Sequence, residues 1–176
     1  MIFTIGHSTR LLNDFLALLK QYGVARLVDV RTVPRSAFNP RYNREWLPAA
    51  LKQEGIAYTH APGLGGLRHA RKDTKNTGWK NLSFRGYADY MQTEEFTRAL
   101  DELIDAASHE RIAIMCAEAL PWRCHRSLIA DALTARGVEV EHIMNAQRTR
   151  PHSLTTFAKV DGQRVSYPGE QPALDF

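Results

Sequence analysis

The sequence has little of what marks secreted, membrane-spanning or disordered proteins. Cys116 and Cys124 are its only cysteines among 176 residues, too few for a disulfide scaffold. The longest apolar run, residues 112–117, is far shorter than the roughly 18 residues that a membrane span needs. The opening Met-Ile-Phe-Thr has no basic flank, so it does not resemble a signal peptide. We therefore expect a globular cytoplasmic protein without a membrane partner.

Positive charge is concentrated in the middle of the chain. Residues 31–90 hold eleven lysines and arginines against four acidic residues, a formal charge of +7, whereas the rest of the chain carries −3. The same stretch holds eight of the sixteen aromatic residues. Cations pair with phosphates and aromatic rings stack on bases, so this composition suits a nucleic-acid surface. A solvated loop surface above packed aromatic side chains is the alternative.

Short apolar runs that alternate with amphipathic segments predict an α/β fold. Strand character occurs at residues 2–5, 26–30, 56–60, 112–116 and 138–143. Helical periodicity lies between these runs, and Asn13 and Thr93 are the predicted N-caps of two helices. We predict a single three-layer α/β domain over residues 1–145, with a mainly parallel sheet flanked by helices. Residues 146–176 are predicted to be a polar C-terminal extension, packed on this domain or trailing from it.

Reactive side chains follow four of the predicted strands. In chain order they are His7 and Ser8, Asp29 and Arg31, His60, and Cys116 and Glu118. Ligands of open parallel sheets bind in the crevice beyond the carboxyl ends of the strands. The topology therefore predicts that these side chains meet around one pocket.

The segment between Cys116 and Arg126 carries the densest chemistry. A helix predicted over residues 124–136 opens with Cys124, His125 and Arg126, which would turn its N-terminus toward Cys116. The helix dipole and the nearby cations predict that the pKa of Cys116 lies below that of a free thiol. The arrangement resembles the thiolate loops of cysteine phosphatases and rhodaneses. Arg123 stands one position later than the phosphatase spacing requires.

Other interpretations of the two cysteines stay open. Cys116 could be a structural residue at the end of a buried strand, or it could form a reversible disulfide with Cys124. A metal site could combine the cysteines with Glu118 and His125 and be completed by His7 or His60. The seven residues between the cysteines exceed the two to four typical of closed zinc sites. We predict no metal and no cofactor.

The remaining strand-end residues also have two interpretations each. His7 suits a general base, although its position is equally typical of a structural hydrogen bond. Asp29 and Arg31 lie two residues apart on one side of a strand. Either one could contact a ligand, or the two could form an internal ion pair.

Several separated motifs together resemble a known family. They are Thr4-Ile5-Gly6-His7-Ser8, Asp29-Val30-Arg31 with Pro34 and Ser36, Leu64-Gly65-Gly66, the segment 84–90, and Met115-Cys116-Ala117-Glu118 through Cys124-His125-Arg126. Over about residues 1–145 the chain is similar to the domain-of-unknown-function family 488 (DUF488). The resemblance implies a cytoplasmic α/β domain with motif positions at His7, Ser8, Asp29, Arg31, Cys116, Glu118, Cys124, His125 and Arg126. It implies no particular reaction.

Two functional hypotheses follow. The first is an enzyme, a hydrolase or a transferase, that binds a phosphate-bearing ligand such as a nucleotide or nucleic acid at the strand ends. Its predicted catalytic residues are Cys116, Glu118, His7 and His125, and its predicted ligand-binding residues are Ser8, Asp29, Arg31, Arg123 and Arg126. The second is a non-catalytic module that binds nucleic acid or protein through residues 31–90. The sequence leaves the oligomeric state open.

Overall fold

A six-stranded sheet forms the centre of the molecule in the computed structural model, which describes residues 1–169. The strands are β1 (Ile2–Gly6), β2 (Arg26–Asp29), β3 (Ala57–His60), β4 (Ile112–Cys116), β5 (Val140–Ile143) and β6 (Thr149–Pro151). The helices are α1 (Leu12–Gln21), α2 (Leu47–Gln53), α3 (Leu82–Tyr90), α4 (Glu94–His109) and α5 (Arg126–Ala135). Short 3₁₀ turns occur at Pro40–Tyr42, Pro62–Leu64 and Pro121–Arg123.

The sheet is parallel except at one edge. Its strand order is β3-β2-β4-β1-β5-β6, and only β6 runs antiparallel to its neighbour. The central strand β4 has the sequence Ile-Ala-Ile-Met-Cys, and its first four residues are buried. An apolar strand of this kind is typical of a sheet that is covered on both faces.

Helices cover both faces of the sheet, as the sequence predicts. One face packs on α1 and α2, and its core includes Phe3, Phe15 and Leu51. The other face packs on α3, α4 and α5, and its core includes Ile114 and Leu128. Side chains of successive strand residues point to opposite faces, so each strand contributes to both cores. The fold is therefore a single three-layer α/β domain.

The helix termini agree with the sequence in part. The Thr93 hydroxyl accepts from the Phe96 N–H and caps α4, as predicted. The predicted cap at Asn13 is wrong, because α1 begins at Leu12 without a side-chain cap. The helix predicted to open at residue 124 begins instead at Arg126, and Cys124 has an extended backbone. Cys124 therefore belongs to the loop that follows β4.

The chain beyond β5 packs against the rest of the molecule as far as residue 169. Strand β6 extends the sheet, and β7 (Lys159–Asp161) and β8 (Arg164–Ser166) form a separate hairpin. Tyr167 follows the hairpin and is fully buried in the core beside α3 and α5. Its hydroxyl donates to the Asp131 carboxylate at 2.7 Å. Within residues 1–169, no helix combines the length and the apolar composition needed to cross a bilayer.

Candidate functional site

The carboxyl ends of β1, β2 and β4 meet at one end of the sheet because β4 lies between β1 and β2 and pairs in parallel with both. Gly6 is paired with Cys116, and Asp29 is paired with Met115. The loops that follow these strands also hydrogen bond to one another, since the His7 N–H donates to the Cys116 carbonyl oxygen at 3.0 Å. The structure thus brings the strand-end side chains into one region.

A cleft of about 540 Å³ opens at this edge. Its walls come from the loops that follow β1, β2, β3 and β4 and from the first turn of α3. The polar side chains of the lining are Ser8, Arg31, Thr32, Arg35, Ser83, Glu118 and Arg123, and the large apolar ones are Val33, Leu67 and Phe84. Cys116, Cys124 and His125 complete the chemically reactive part of the lining. The cleft therefore combines thiols, an imidazole and cationic groups.

Both cysteines converge on one nitrogen of His125. Its Nδ1 lies 3.9 Å from the Cys116 Sγ and 3.6 Å from the Cys124 Sγ. The three atoms all lie within 4.8 Å of one another, and both cysteines are reduced. Cys124 is only 5% exposed, whereas Cys116 is half-buried. Cys116 thus offers the more accessible sulfur to a ligand in the cleft.

The second nitrogen of His125 fixes where the ring carries its proton. Nε2 lies 3.0 Å from the Val30 carbonyl oxygen. Because a carbonyl oxygen only accepts, Nε2 is the protonated nitrogen that donates to it. In the neutral ring, Nδ1 then has a free lone pair that accepts from a thiol. In the charged ring, Nδ1 donates to a thiolate, so His125 is oriented to share a proton with the cysteines.

The surroundings of the two thiols favour the anion of Cys124 over the anion of Cys116. A hydrogen bond from the Cys116 thiol lowers the pKa of Cys124 well below that of a free thiol, against the opposing effect of burial. His125 and the Arg126 charge lower it further. The same hydrogen bond, together with burial, raises the pKa of Cys116. The sequence-based prediction of a lowered Cys116 pKa is wrong, because the spacing of the residues does not reveal which thiol donates.

Arg126 lies beneath the loop that follows β4 and is absent from the cleft lining. Its side chain is 1% exposed, and it donates to the Thr4 hydroxyl at 3.1 Å and to the Glu118 carbonyl oxygen. Within the described part of the chain, its Nε has no partner and it forms no salt bridge. A buried cation stabilises a nearby anion, here the Cys124 thiolate. These contacts give Arg126 a structural and electrostatic role and do not support direct ligand binding.

Two glycines allow the loops to pack this closely. A Cβ atom on Gly6 would lie 1.9 Å from the Glu118 carbonyl oxygen, and one on Gly66 would lie 2.6 Å from the His125 Nδ1. Both distances are far below van der Waals contact, so a side chain at either position would displace its neighbour. Gly66 thus lets the loop after β3 lie directly against the imidazole.

Asp29 and Arg31 form the internal ion pair that the sequence leaves as an alternative. The guanidinium donates from Nε to Oδ1 at 2.9 Å and from Nη2 to Oδ2 at 2.6 Å. Tyr58 also donates to Oδ2, at 2.8 Å. Asp29 is completely buried and does not line the cleft. A ligand-binding role for Asp29 is therefore not supported, whereas Arg31 reaches the lining.

His7 lies behind Arg31 and outside the cleft lining. Its Nδ1 donates to the Ser8 carbonyl oxygen, its Nε2 lies 3.4 Å from the Arg31 Nη1, and its ring stacks on Tyr42. Burial, opposed in part by the bond to Ser8, lowers the pKa of His7 to about 4. The imidazole is therefore neutral at pH 7, and its lone pair faces a guanidinium. This environment supports a positioning role for His7 and does not support a general base.

The other predicted residues have clear positions. Ser8 lines the cleft with a left-handed backbone (φ +45°), a conformation that is strained for a residue with a side chain. Glu118 and Arg123 are exposed at the cleft, and the Glu118 carboxylate accepts from the Leu120 N–H at 3.2 Å. His60 donates to the Arg31 carbonyl oxygen at 2.8 Å and lines a different cavity.

Sequence reasoning missed three features of this site. It did not predict that Cys124 and Cys116 share a proton, that Arg35 lines the cleft, or that Gly66 lies against His125. The glycine run at residues 63–66 was the only local signal for the last feature. The cluster of Cys116, Cys124 and His125 also offers three soft donor atoms, and these could hold a thiophilic cation such as Zn²⁺ with one coordination position open to the cleft.

Comparisons with known proteins identify a domain family. The family model described as "Domain of unknown function DUF488" matches residues 11–133, which is more than half of the chain. No curated protein matches the chain. No solved structure matches it either.

Proposed function

The chain belongs to the DUF488 family, and from the geometry of its cleft we propose that it is a cysteine-dependent hydrolase or transferase that acts on a phosphate-bearing ligand. Cys116 is the proposed nucleophile and Cys124 its base. His125 stabilises the charge on Cys124. Arg123 and Arg35 are the proposed contacts of the ligand's phosphate.

One observation carries this proposal: two reduced thiols and the free nitrogen of an anchored imidazole converge in an open cleft. A structural cysteine needs no such partners, because a small apolar environment is sufficient for it. Nucleophilic cysteines, in contrast, need an adjacent base and a third group that orients it. Here the Val30 carbonyl oxygen orients His125, and the buried Arg126 favours the anionic sulfur.

The proposed reaction conserves charge and protons. The Cys116 Sγ attacks an electrophilic centre of the ligand, and the Cys116 proton passes to the Cys124 thiolate as the new bond forms. The leaving group departs with its bonding electron pair, so the negative charge of Cys124 ends on the leaving group. Water or an acceptor alcohol then attacks the covalent intermediate and gives its proton to the Glu118 carboxylate. Cys116 leaves as a thiolate and regains its proton from Cys124.

The charge of the lining supports an anionic ligand. Arg123 and Arg35 both reach the cleft with exposed side chains. Glu118 is the one acidic side chain in the described lining, and it leaves the cleft cationic. Guanidinium groups bind phosphate oxygens through charge-assisted hydrogen bonds. Arg123 belongs to the loop that directly follows Cys116, so the proposed phosphate contact and the proposed nucleophile lie on the same segment of the chain.

Alkylation by iodoacetamide tests this proposal. Trypsin cleaves after Arg111, Arg123 and Arg126, so it places the two cysteines in separate peptides that mass spectrometry can quantify. At pH 7 we expect Cys116 in the folded protein to react faster than in the denatured chain, because transfer of its proton to the Cys124 thiolate places a negative charge on the exposed sulfur, whereas the thiols of the denatured chain are mostly protonated. Inorganic phosphate should slow this reaction, and Cys124→Ser should slow it as well, because the base is then absent.

His109→Gln is the matched control for His125→Gln, because His109 is exposed at the far end of α4. The control should react like the wild type, whereas His125→Gln should lose the rate enhancement. The proposal is contradicted if Cys116 is alkylated no faster than a free thiol and if neither phosphate nor the Cys124 substitution changes that rate. Stoichiometric zinc that blocks alkylation until a chelator removes it would also contradict it.

A further inference from the structure

Two long loops leave the sheet beside the cleft. The first, residues 30–46, follows β2, and the second, residues 61–81, follows β3. The loops touch each other, because the Leu67 N–H donates to the Thr32 hydroxyl at 3.2 Å. Both supply cleft lining, through residues such as Val33 and Leu67. Residues 31–33, 35 and 66–67 of these loops therefore border the cleft mouth.

The contacts of the basic residues separate internal cations from available ones. Arg31 is paired with Asp29, Arg68 lies over the Tyr90 ring, and Arg85 donates to the Trp79 carbonyl oxygen. Arg71 is paired with Asp73 at the surface, and Arg35, whose Nη2 lies 3.9 Å from a Glu45 carboxylate oxygen, already belongs to the cleft lining. Exposed cations without an acidic partner in the described chain remain on both loops: Arg41, Arg44, Lys72, Lys75 and Lys80.

Aromatic rings occur beside the cations of the first loop. Phe38 is fully exposed and Trp46 is 66% exposed, and they stand next to Arg41 and Arg44 in the chain. Most other aromatic side chains of residues 31–90 are internal; Trp79, for example, packs against Phe84 and Phe157. Packing in the core thus accounts for those rings and does not account for Phe38 and Trp46. Exposed rings beside unpaired cations fit a partner that has both flat bases and phosphates.

From these contacts we infer that the phosphate-bearing ligand of the cleft is a single-stranded nucleic acid, whose terminal phosphate enters the cleft. This inference rests on the proposed function. The backbone of the nucleic acid runs along a surface that we call the binding rim. The binding rim consists of Phe38, Arg41, Arg44, Trp46, Lys72, Lys75 and Lys80. A duplex hides its bases from Phe38 and Trp46, whereas a single strand leaves them free to stack. An acidic peptide would satisfy the cations and leave the rings unused.

Fluorescence anisotropy with a 5′-phosphorylated oligothymidylate of about 12 nucleotides, within the site sizes of single-strand binding folds, tests the inference. We expect binding that weakens with salt and is stronger than binding of a duplex or of polyglutamate. Arg41→Gln with Arg44→Gln should lower the slope of log affinity against log salt by about 1.4, about 0.7 for each lost phosphate contact. Trp46→Ala should weaken binding about tenfold, and Trp46→Phe should restore most of it.

Lys52→Gln with Lys159→Gln is the matched double control, because both lysines are exposed, unpaired in the described chain and outside the binding rim. It should bind like the wild type. The inference is overturned if the control loses as much affinity as the Arg41 and Arg44 variant, if the duplex binds as tightly as the single strand, or if Trp46→Ala does not weaken binding. The oligonucleotide should also protect Cys116 from alkylation. If inorganic phosphate protects Cys116 and the oligonucleotide does not bind, the inference fails while the proposed function stands.

Discussion

The guanidinium of Arg31 and the carboxylate of Asp29 form a two-bond ion pair in which neither side chain is more than 5% exposed. The Arg31 Nη2 also donates to the Tyr42 carbonyl oxygen at 2.7 Å. Through Arg31 it also faces His7, the first residue of the loop after β1. Asp29 thereby links the ends of two strands that are not neighbours in the sheet, and it fixes one wall of the cleft.

Asp29→Asn should strongly destabilise the fold. The substitution removes the negative charge and leaves Arg31 buried without its partner, which costs about 3–5 kcal/mol in comparable pairs. Urea unfolding followed by circular dichroism measures the loss. Asp73→Asn is the control, because the pair of Asp73 with Arg71 is exposed, and it should leave the midpoint unchanged. An Asp29→Asn protein as stable as the wild type would show that Arg31 finds compensation elsewhere.

Acid should destabilise the protein through two buried histidines. Burial lowers the pKa of His7 to about 4 and that of His142 to about 3, with His152 and Arg126 lowering the latter further. Asp131 opposes this shift, and Thr4 contacts the His142 ring. In the unfolded chain both histidines bind protons below the ordinary histidine pKa of about 6.5, whereas in the folded protein both rings stay neutral. Stability is therefore full above pH 6.5 and falls as the pH drops toward these folded values.

The expected size follows from proton linkage. Between pH 7.5 and pH 5, each histidine should remove about 2 kcal/mol of the free energy of unfolding. Urea denaturation at the two pH values measures this difference. His142→Gln should reduce the stability difference between the two pH values by about 2 kcal/mol, the contribution of one histidine. His69 is exposed, so His69→Gln should not alter the difference. Stability that is constant or rises toward pH 5 would contradict the assignment of neutral buried rings.

The layout of the fold and of the site edge could be predicted from the sequence because both depend on local patterns. Apolar runs separated by amphipathic segments specify parallel strands with helical crossovers. Parallel strands place their carboxyl ends together, so Cys116 and Arg31 had to meet. Gly23 and Gly137 follow α1 and α5 and have the left-handed backbone that favours glycine just after a helix.

The roles within the site depend on contacts that no local pattern encodes. Arg126 follows two cleft residues in sequence, yet its side chain turns beneath the loop toward Thr4. Cys124 was expected inside a helix, and the 3₁₀ turn at Pro121–Arg123 moves it into the loop opposite Cys116. Side-chain direction decided both outcomes. Spacing along the chain alone could not distinguish the thiol that donates from the thiol that accepts.

Tyr167 should anchor residues 146–169 to the domain. Its ring is fully buried, its hydroxyl donates to Asp131, and its backbone holds Gly78 and Asn76 of the loop after β3. Tyr167→Phe should cost about 1–3 kcal/mol, because the buried carboxylate loses a donor. Tyr167→Ala should cost about 3–5 kcal/mol through the cavity as well. Equal thermal midpoints for the two variants would show that the cavity collapses without cost.

The pH dependence of Cys116 alkylation should reveal its base. In the proposed mechanism the base is Cys124, whose lowered pKa favours the deprotonated form at neutral pH. The alkylation rate should therefore change little over the neutral range. In Cys124→Ser, Cys116 must ionise on its own, and the rate should rise about tenfold per pH unit below the ordinary thiol pKa of about 8.5. Parallel profiles for the two proteins would exclude Cys124 as the base.

Gly66→Ala should separate the reactivity of the site from its fold. The added methyl group would lie 2.6 Å from the His125 Nδ1 and 2.8 Å from its Cγ, so either the imidazole or the loop must move. Since Tyr87 packs on the ring and the Val30 carbonyl oxygen holds its Nε2, movement of the ring breaks its contacts with the two sulfurs. We expect the enhanced alkylation of Cys116 to be lost, while overpacking costs about 1–3 kcal/mol of stability. His69→Ala, an exposed change on the same loop, should preserve both properties. If Gly66→Ala keeps the wild-type alkylation rate, contact between His125 and the thiols is not what activates Cys116.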